Sequence, residues 1–422
     1  MLLLPLAAAC GTRERPLNLL LISIDTLRAD RLGCYGYERE TSPELDRFAR
    51  DHAVRFARAV VEAPWTLPSH VTLLSGLHPL RHGVSLPEHA PAREIEFLAQ
   101  TLHAAGYYTF AFTGGGWISP DFGFDRGCDS FQGSELDCAD NVRKVIDTIR
   151  HRSSRGPWFG FLHTYEVHCP YDPPEPYFSM FASEEAEPIE VAGRCGNPDF
   201  NALPLSVGQV RYLSDRYDGS IRSVDLALGS LFAFLEENGA LEDTVVVITS
   251  DHGEEFGEHG RIGHERSLQR EVLGVPLLVA APGIAARTIP NRVGLADVAP
   301  TVLDLLGIPG PSHDGRSLVP LLRAGAPPGP DEPRISALAW KEDLLSILCD
   351  GDHLILDRSR DSSLLFDLEA DPGERGEGPT QAETEVERLR AALERRAEEL
   401  GRAAFVPEIV KMSSEPVGES TR

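Results

Sequence analysis

Long apolar runs alternate with segments of helical periodicity along most of the chain. The first run, LNLLLISID, ends on an acid, and strand-like runs occupy 17–25, 107–113, 157–166, 244–251 and 276–281. Continuous apolar runs of this kind are typical of strands buried on both faces of a sheet. Helical spacing of apolar residues is found at 41–53, 94–105, 141–152, 207–238 and 296–307. This alternation predicts an α/β fold, with a large, mostly parallel sheet sandwiched by helices.

A change of composition divides the chain near residue 325. Residues 308–334 are rich in Pro and Gly, which is typical of a linker. Four short strand-like runs follow, RISALAW, LLSILCD, HLILDR and SLLFDL, and then the amphipathic segment TEVERLRAALERRAEEL. We therefore expect a large domain at 17–325, a small subdomain with an antiparallel sheet and a helix at 326–402, and a flexible tail at 403–422.

The first ten residues, MLLLPLAAAC, form a short apolar run that ends at Cys10. This run is similar to the end of a bacterial lipoprotein signal, in which Cys10 would carry the lipid. It lacks a basic segment, which an upstream start codon would explain. The alternative is an irregular N-terminus with an ordinary buried cysteine. We predict that residues 1–16 are a signal remnant and linker, and that the protein is exported to the periplasm or cell envelope, with Cys10 as its membrane anchor.

The charge balance limits the partners that the protein can bind. A net charge of −25 excludes nucleic acid as a partner, because phosphate backbones require clustered Lys and Arg. The chain holds the lysines Lys144, Lys341 and Lys411 and no others, so an anion must be bound by Arg, His or a metal ion. No apolar run is long enough to span a bilayer.

The cysteines show no spacing typical of a zinc site. In an exported protein, Cys128–Cys138 and Cys169–Cys195 could each close a loop as a disulfide. Free thiols are an equally good interpretation of the same spacing.

Three polar residues directly follow apolar runs. Asp25 ends the first run, and Asp251 and His252 follow the run at 244–251. Because active groups in such sheets lie at the carboxyl ends of strands, we expect these side chains to lie close together. Two carboxylates and one imidazole suit a single divalent cation, Ca²⁺, Mg²⁺, Mn²⁺ or Zn²⁺.

Thr66 lies in APWTLPSHVTLLSG, where a loop turns into a helix. Its hydroxyl could cap a helix that begins at Pro68, or it could be a nucleophile if a metal ion lies beside it. His168, in HTYEVHCPYDPP, and His264, in GHERSL, are candidates to bind the transferring oxygens or to protonate a leaving group. His70 is expected to be peripheral.

Several motifs in a fixed order then narrow the function. The segments ISIDTLRADRLGCYGY, APWTLPSHVTLLSG, FLHTYEVHCPYDPP, TSDHGEEFGEHG and VPLLVAAPG resemble those of the sulfatase family, within the alkaline phosphatase superfamily. The resemblance implies that 17–325 is a catalytic domain. It also implies that Asp25, Asp251 and His252 bind the metal ion together with Thr66, which occupies the nucleophile position. By the same resemblance His168 contacts the substrate, and His264 stands for a late Lys or His of the family.

The departures from the family pattern are informative. The family carries Cys or Ser in Cys/Ser-x-Pro-x-Arg, and that residue is oxidised to formylglycine, whereas this chain reads Thr66-Leu67-Pro68-Ser69-His70. No formylglycine is therefore expected. Thr26 stands where many members have a second metal-binding Asp. An unmodified threonine is similar to the phosphoryl-transfer relatives of the superfamily, whose chemistry depends on positioning and charge stabilisation.

The sequence thus predicts a metal-dependent hydrolase of sulfuric or phosphoric esters, with Thr66 forming a covalent intermediate. The expected substrate is a small-molecule, glycan or lipid ester. Two alternatives stay open: a phosphoethanolamine- or phosphoglycerol-type transferase, and a catalytically silent binding protein of the envelope.

Overall fold

The computed structural model describes residues 16–133, 137–191, 204–323, 329, 331–376, 383–402 and 410–411. The strands are β1 (Asn18–Ile24), β2 (Val54–Val60), β3 (His89–Ala90), β4 (Tyr108–Thr113), β5 (Ser130–Gly133), β6 (Trp158–Thr164), β7 (Thr244–Thr249), β8 (Glu255–Phe256), β9 (Ile262–Gly263), β10 (Gly274–Ala280), β11 (Arg287–Gly294), β12 (Arg334–Leu338), β13 (Leu344–Cys349), β14 (Asp352–Asp357), β15 (Ser362–Asp367) and β16 (Val410–Lys411). The helices are α1 (Pro43–His52), α2 (Thr66–Ser75), α3 (Pro79–His82), α4 (Leu98–Ala104), α5 (Cys138–Arg152), α6 (Tyr177–Met180), α7 (Val207–Glu237), α8 (Arg270–Leu273), α9 (Val298–Leu306), α10 (Val319–Leu322) and α11 (Glu383–Arg402).

Eight strands form the large sheet, in the order β11-β2-β10-β7-β1-β6-β4-β5. Strand β10 runs antiparallel to β7 and β2, and the other neighbouring pairs are parallel. The predicted α/β fold with a mostly parallel sheet is confirmed. The apolar pattern did not identify β2 and β11, because β2 carries Arg55 and Arg58 and β11 contains Pro290, a residue typical of sheet edges.

Helices cover both faces of this sheet. Successive residues of β1 point to opposite faces, so Leu19 and Leu21 join one apolar core and Leu20 and Ile22 join the other. All seven residues of β1 are buried, which explains why the strand is an unbroken apolar run. The long helix α7 packs in the second core, whereas α2 and α9 pack in the first.

The four C-terminal strands form the predicted antiparallel sheet, in the order β12-β13-β14-β15. One of its faces continues the first core through residues such as Ile355 and Phe366. Its other face packs against Leu389 and Leu393 of α11. Strand β12 also bonds to the segment that follows β2, because the Ala337 N–H donates to the Glu62 carbonyl at 2.9 Å. The subdomain is therefore joined to the large sheet by both apolar contacts and hydrogen bonds.

The two expected disulfides have different outcomes in the structure. Cys128 and Cys138 are free thiols, because Cys128 packs in the first core and Cys138 in the second, on opposite sides of the sheet. The expected pair Cys128–Cys138 is therefore wrong. Cys169 is disulfide-bonded, and its expected partner Cys195 lies outside the described residues.

Two expectations concern the ends of the chain. Cys10 and the predicted signal remnant lie outside the described residues, as does most of the predicted tail at 403–422. Within that tail, β16 pairs antiparallel with β3. Among the helices that the structure describes, none combines the length and apolar character needed to cross a bilayer.

Candidate active site

The site forms at the carboxyl ends of three neighbouring strands, β7, β1 and β6. Asp25 follows β1, and its N–H donates to the carbonyl of Thr164, the last residue of β6, at 3.0 Å. Asp251 and His252 follow β7 and are fully buried, as is Asp25. The structure therefore brings together the three polar residues that the strand ends predicted.

Thr66 is the first residue of α2, and Trp65 occupies the N-cap position. The Thr66 hydroxyl donates to Asp25 Oδ2 at 3.3 Å and lies 3.4 Å from His252 Nε2. No side-chain cap is formed at this helix end, which lies wholly within the described residues. The interpretation of Thr66 as a capping residue is therefore wrong, and the hydroxyl faces the strand-end carboxylate.

Asp25, Asp251 and His252 fit a divalent cation. Each offers one ligand atom, and these atoms lie within 4.8 Å of one another. Asp25 Oδ1 and Asp251 Oδ2 are buried and lack a hydrogen-bond partner in the described structure, an arrangement that is costly unless a cation is bound. His252 Nδ1 lies 2.9 Å from the Gly253 carbonyl, so it carries the ring proton and leaves the Nε2 lone pair for a metal ion.

The two carboxyl groups differ in their electrostatic surroundings. Burial, followed by the Asp251 charge, raises the pKa of Asp25 well above its ordinary value. Burial also acts to raise the pKa of Asp251, but the neighbouring His252 and His70 outweigh it and the pKa is lowered. Without a cation the buried pair is therefore most stable with one proton, which sits on Asp25.

His70 is fully buried beside Asp251, so the expectation that it is peripheral is wrong. Its Nδ1 lies 2.9 Å from the Thr66 carbonyl and 3.4 Å from Asp251 Oδ2. The carbonyl requires a proton on Nδ1, so Nε2 accepts from the Ser23 hydroxyl at 2.9 Å. Burial lowers the pKa of His70. A neutral ring thus stands where the family pattern has arginine, because helix α2 turns position 70 toward β1 and β7.

His163 was missed by the sequence reasoning, although it lies in a strand that the apolar pattern predicted. It is fully buried near the end of β6, and its Nε2 lies 3.4 Å from Asp25 Oδ2. The Gly114 N–H donates to Nδ1 at 3.4 Å, so the proton is on Nε2 and is directed toward the carboxylate. Applying the strand-end rule to β6 would have found this residue.

Tyr165 was missed as well. Burial, followed by the charges of Asp25 and Asp251, raises its pKa well above the ordinary value. A Cβ atom at Gly114 would lie 2.7 Å from the Tyr165 ring, and one at Gly116 (φ +58°) would lie 3.1 Å from it. The loop that contains Gly114 and Gly116 therefore fits closely around this tyrosine.

The two predicted catalytic histidines lie next to His252. The ring centroids of His252 and His264 are 4.4 Å apart, and those of His264 and His168 are 5.2 Å apart. His264 Nδ1 lies 2.8 Å from Glu254 Oε1, and burial lowers the pKa of His264 to about 4. His168 Nδ1 bonds to the Cys169 carbonyl at 2.8 Å. Every side chain that the sequence predicted for the site is thus part of one cluster.

Thr26 is held in a conformation that β-branched residues rarely adopt, with φ of 57°. Its N–H donates to Asp251 Oδ1 at 3.2 Å, and its hydroxyl donates to the Asp25 carbonyl at 2.8 Å. Both groups stabilise the backbone around the two acids. The side chain of Thr26 therefore does not replace the second carboxylate of the family pattern.

Comparisons with known proteins agree with this geometry. The family model described as "Sulfatase" matches residues 17–308. The "Extracellular sulfatase SULF-1 homolog" of Drosophila melanogaster is 27% identical over 74% of this chain, which spans about a third (32%) of that relative. The "Arylsulfatase" of Clostridium perfringens is 25% identical over 85% of this chain and 89% of the relative.

The fold is also similar to that of a solved structure. The phosphonate monoester hydrolase of Agrobacterium radiobacter superimposes with a TM-score of 0.73 and 22% identity. The superposition covers 91% of this chain and 95% of that hydrolase, so the likeness extends over both the large and the small sheet.

Proposed function

The chain belongs to the sulfatase family, and from this premise we propose that it is a metal-dependent hydrolase of sulfuric or phosphoric esters with Thr66 as the nucleophile. The observation that carries the proposal is the position of the Thr66 hydroxyl. It lies 3.3 Å from Asp25 Oδ2 and 3.4 Å from His252 Nε2, beside the atoms that fit a divalent cation.

Asp25, Asp251 and His252 would hold one divalent ion, with Thr66 completing the set. Such an ion lowers the pKa of a neighbouring hydroxyl and offsets the negative charge of the transferring group. Two further residues of the chain keep these groups in place. His163 donates to Asp25 Oδ2, and His70 donates to the Thr66 carbonyl from Nδ1, which lies 3.4 Å from Asp251 Oδ2.

In the first step Thr66 Oγ1 bonds to the phosphorus or sulfur atom, and the bond to the leaving oxygen breaks. The hydroxyl proton passes to Asp25 Oδ2, which is its acceptor in the structure. The leaving oxygen takes a proton from His168 or from solvent. In the second step water displaces Thr66, with His168 Nε2 as the base, and Thr66 recovers its proton. His264 is assigned to substrate binding because its ring lies between those of His252 and His168, and its lowered pKa keeps that ring neutral.

The substrate class follows from the relatives and the nucleophile. The Clostridium perfringens relative is named an arylsulfatase, and the Agrobacterium radiobacter structure is a phosphonate monoester hydrolase. A threonine nucleophile favours phosphoric over sulfuric esters, because its first product is a phosphothreonine ester that water can resolve. The ester is small or is the accessible end of a glycan or lipid.

Export from the cytoplasm is part of the proposal. It is supported by the disulfide of Cys169, since such bonds persist in oxidising compartments. It is also supported by the name of the Drosophila melanogaster relative, an extracellular sulfatase. Lipid attachment at Cys10 is tested by mass spectrometry of the protein purified from bacterial membranes, where an unmodified Cys10 in the mature protein would contradict it.

A panel of esters tests the activity. The protein is incubated with 4-nitrophenyl sulfate, 4-nitrophenyl phosphate and the phosphodiester bis(4-nitrophenyl) phosphate, each with Ca²⁺, Mg²⁺, Mn²⁺ or Zn²⁺. We expect turnover of at least one ester that requires an added or co-purified metal ion. Turnover that rises severalfold with an acceptor alcohol would indicate the transferase alternative. Stoichiometric metal without turnover of any ester would favour the silent binding protein.

A further inference from the structure

A separate cavity lies between the edge of the large sheet and the C-terminal sheet. It has a volume of about 330 Å³ and is lined by residues of β2, β10, β11, β13 and β14, and by part of the segment that follows β15. Its acidic, basic and imidazole side chains are those of Asp30, Arg58, Arg270, Arg292, His353 and Glu374. None of the candidate active-site residues lines it within the described chain. Three arginines line one cavity in a chain whose net charge is −25.

Arg292 is the unusual member of this set. Arg292 is only 3% exposed, and its Nη1 has no hydrogen-bond partner among the residues that the structure describes. It stands directly opposite Arg58 in the parallel pairing of β11 with β2. Like charges in opposed positions of a sheet destabilise it, and a buried cation without a counter-charge is costlier still.

The nearby carboxylate does not neutralise Arg292. Asp331 Oδ2 pairs with Arg58 at 2.8 Å, and Asp331 Oδ1 accepts the backbone N–H of Arg292 at 3.0 Å. Both oxygens are thus engaged by groups other than the Arg292 guanidinium. Burial, followed by the charge of Arg58, lowers the pKa of Arg292, which reflects the same imbalance.

The rest of the wall offers further polar groups. Arg270 is half-exposed; its guanidinium Nη2 lies 4.0 Å from Asp30 Oδ2, and its backbone N–H donates to Glu374 Oε2 at 3.0 Å. His353 is fully buried, with Nδ1 bonded to Glu374 Oε1 at 2.7 Å, and its Nε2 lacks a partner in the described part of the chain. The Nε2 atom of this ring is therefore available to a polar group of a ligand.

The remaining lining is apolar. Leu273, Val275, Leu348 and Leu368 contribute to the wall. A partly open cavity lined by both arginine and aliphatic side chains suits a ligand that has an anionic group and an apolar body.

We propose that this cavity is a second binding site, for a small molecule that carries a tetrahedral oxyanion, phosphate or sulfate, with Arg292 as its principal contact. Arg58 and Arg270 complete the anion-binding set. The fork of donors on each guanidinium matches the oxygens of such an anion. The proposal does not depend on the reaction at Thr66, because it rests on a separate cavity and on the unpaired guanidinium of Arg292.

Binding measurements on the full chain test the site. Phenylphosphonate, inorganic phosphate and inorganic sulfate are titrated at constant ionic strength into the wild-type protein, Arg292→Gln and Arg50→Gln. Arg50 is an exposed residue of α1 paired with Asp51, so Arg50→Gln matches the loss of charge without touching the cavity. We expect Arg292→Gln to bind one equivalent of phenylphosphonate fewer than the wild type, or to bind it about tenfold more weakly at that site. A loss of about tenfold is the size expected when one charge-assisted hydrogen bond is removed. Arg50→Gln should bind like the wild type.

The three probes identify the ligand chemistry. Binding of phosphate or sulfate alone at the Arg292-dependent site identifies the anion, and tighter binding of phenylphosphonate shows that the apolar wall is used. Equal binding of every probe to Arg292→Gln and Arg50→Gln would overturn the proposal. If Arg292→Gln does not fold, the same titrations are made with Arg58→Gln, a change at the half-exposed rim of the cavity. We expect this variant to bind the anions more weakly than the wild type, and unchanged binding would contradict the site.

Thermal unfolding without any anion provides an independent readout. Removing an unpaired buried charge should leave the melting temperature of Arg292→Gln equal to or above that of the wild type. Added phosphate or sulfate should then raise the melting temperature of the wild type more than that of the variant. A variant that melts lower, beside a wild type that the anions do not stabilise, would show that Arg292 serves the fold and would overturn the proposal.

Discussion

The hydroxyl of Thr66 donates to Asp25 Oδ2 at 3.3 Å, although the two residues are 41 positions apart. Asp25 lies at the end of the central strand β1, and Thr66 begins the helix that follows β2. The hydroxyl at the first turn of α2 is thereby directed at a buried strand-end carboxylate rather than at its own backbone. This contact is the one expected of a reactive hydroxyl, whereas a capping hydroxyl would bond to the backbone of its own helix. Several predictions depend on this difference.

Replacing Thr66 with alanine should leave a folded protein whose turnover falls by roughly three orders of magnitude or more, because the attacking atom is removed. Thr66→Ser should retain part of the activity. Thr72→Ala is the matched control, since Thr72 is a buried threonine of the same helix whose hydroxyl bonds to His82 at 3.1 Å. It should lose about 1 kcal/mol of stability with turnover intact. Trapping a modified peptide that contains Thr66 would support the covalent step, and a fully active Thr66→Ala enzyme would refute it.

Removing Asp251 should abolish stoichiometric metal binding. Asp251→Ala deletes one of the two carboxylates whose unpaired oxygens fit a cation, so neither full occupancy nor stabilisation by added metal is expected. Asp51→Ala, at an exposed position of α1, is the control for loss of one acid. The metal content of both variants is measured after purification by elemental analysis. Equal occupancy in the two variants would contradict the assignment.

His163 should act as a positioning residue. His163→Phe removes the N–H that is directed at Asp25 Oδ2, and we expect metal affinity to fall by roughly 10–100-fold, as for other partners of metal ligands. His163→Gln, whose amide can donate to the same oxygen, should recover part of the loss. The readout is the metal dissociation constant at fixed pH, together with the metal concentration that gives half-maximal turnover. Wild-type affinity in His163→Phe would show that this residue serves packing alone.

His78 should make stability depend on pH. Its Nδ1 accepts the Leu80 N–H at 3.1 Å, its Nε2 lies 3.0 Å from the Ile335 carbonyl, and burial lowers its pKa to about 4. The folded state therefore binds a proton less readily than the unfolded state, whose histidine titrates at an ordinary pKa of about 6.5. The contribution of neutral His78 to the free energy of unfolding is fully present above pH 6.5 and is lost as the pH falls toward 4.

The variant His78→Asn tests this dependence, because asparagine can also accept the N–H at the start of α3. At pH 5 the depressed pKa of His78 corresponds to about 2 kcal/mol of lost stability relative to pH 7.5. Urea unfolding at the two pH values should therefore show a smaller decrease for the variant by about that amount. The same decrease in both proteins would mean that His78 does not contribute.

The sequence by itself determined the fold class and the core of the site. Apolar runs that end on Asp25 and Asp251 could be interpreted because a strand buried on both faces must be apolar until it leaves the sheet. The carboxyl-end rule then placed Asp25, Asp251 and His252 together without any knowledge of strand order. Thr66 was found by a different local signal, a hydroxyl at the point where a loop turns into a predicted helix.

The tertiary structure decided what depends on strand order and register. His163 reaches Asp25 because β6 is the neighbour of β1, and His70 reaches Asp251 because α2 packs over the same strand ends. The opposition of Arg58 and Arg292 likewise arises from the pairing of β2 with β11, which are more than 230 residues apart at those positions along the sequence. Such pairings are fixed by the packing of the whole chain, because the local apolar pattern of each strand is compatible with many neighbours and registers.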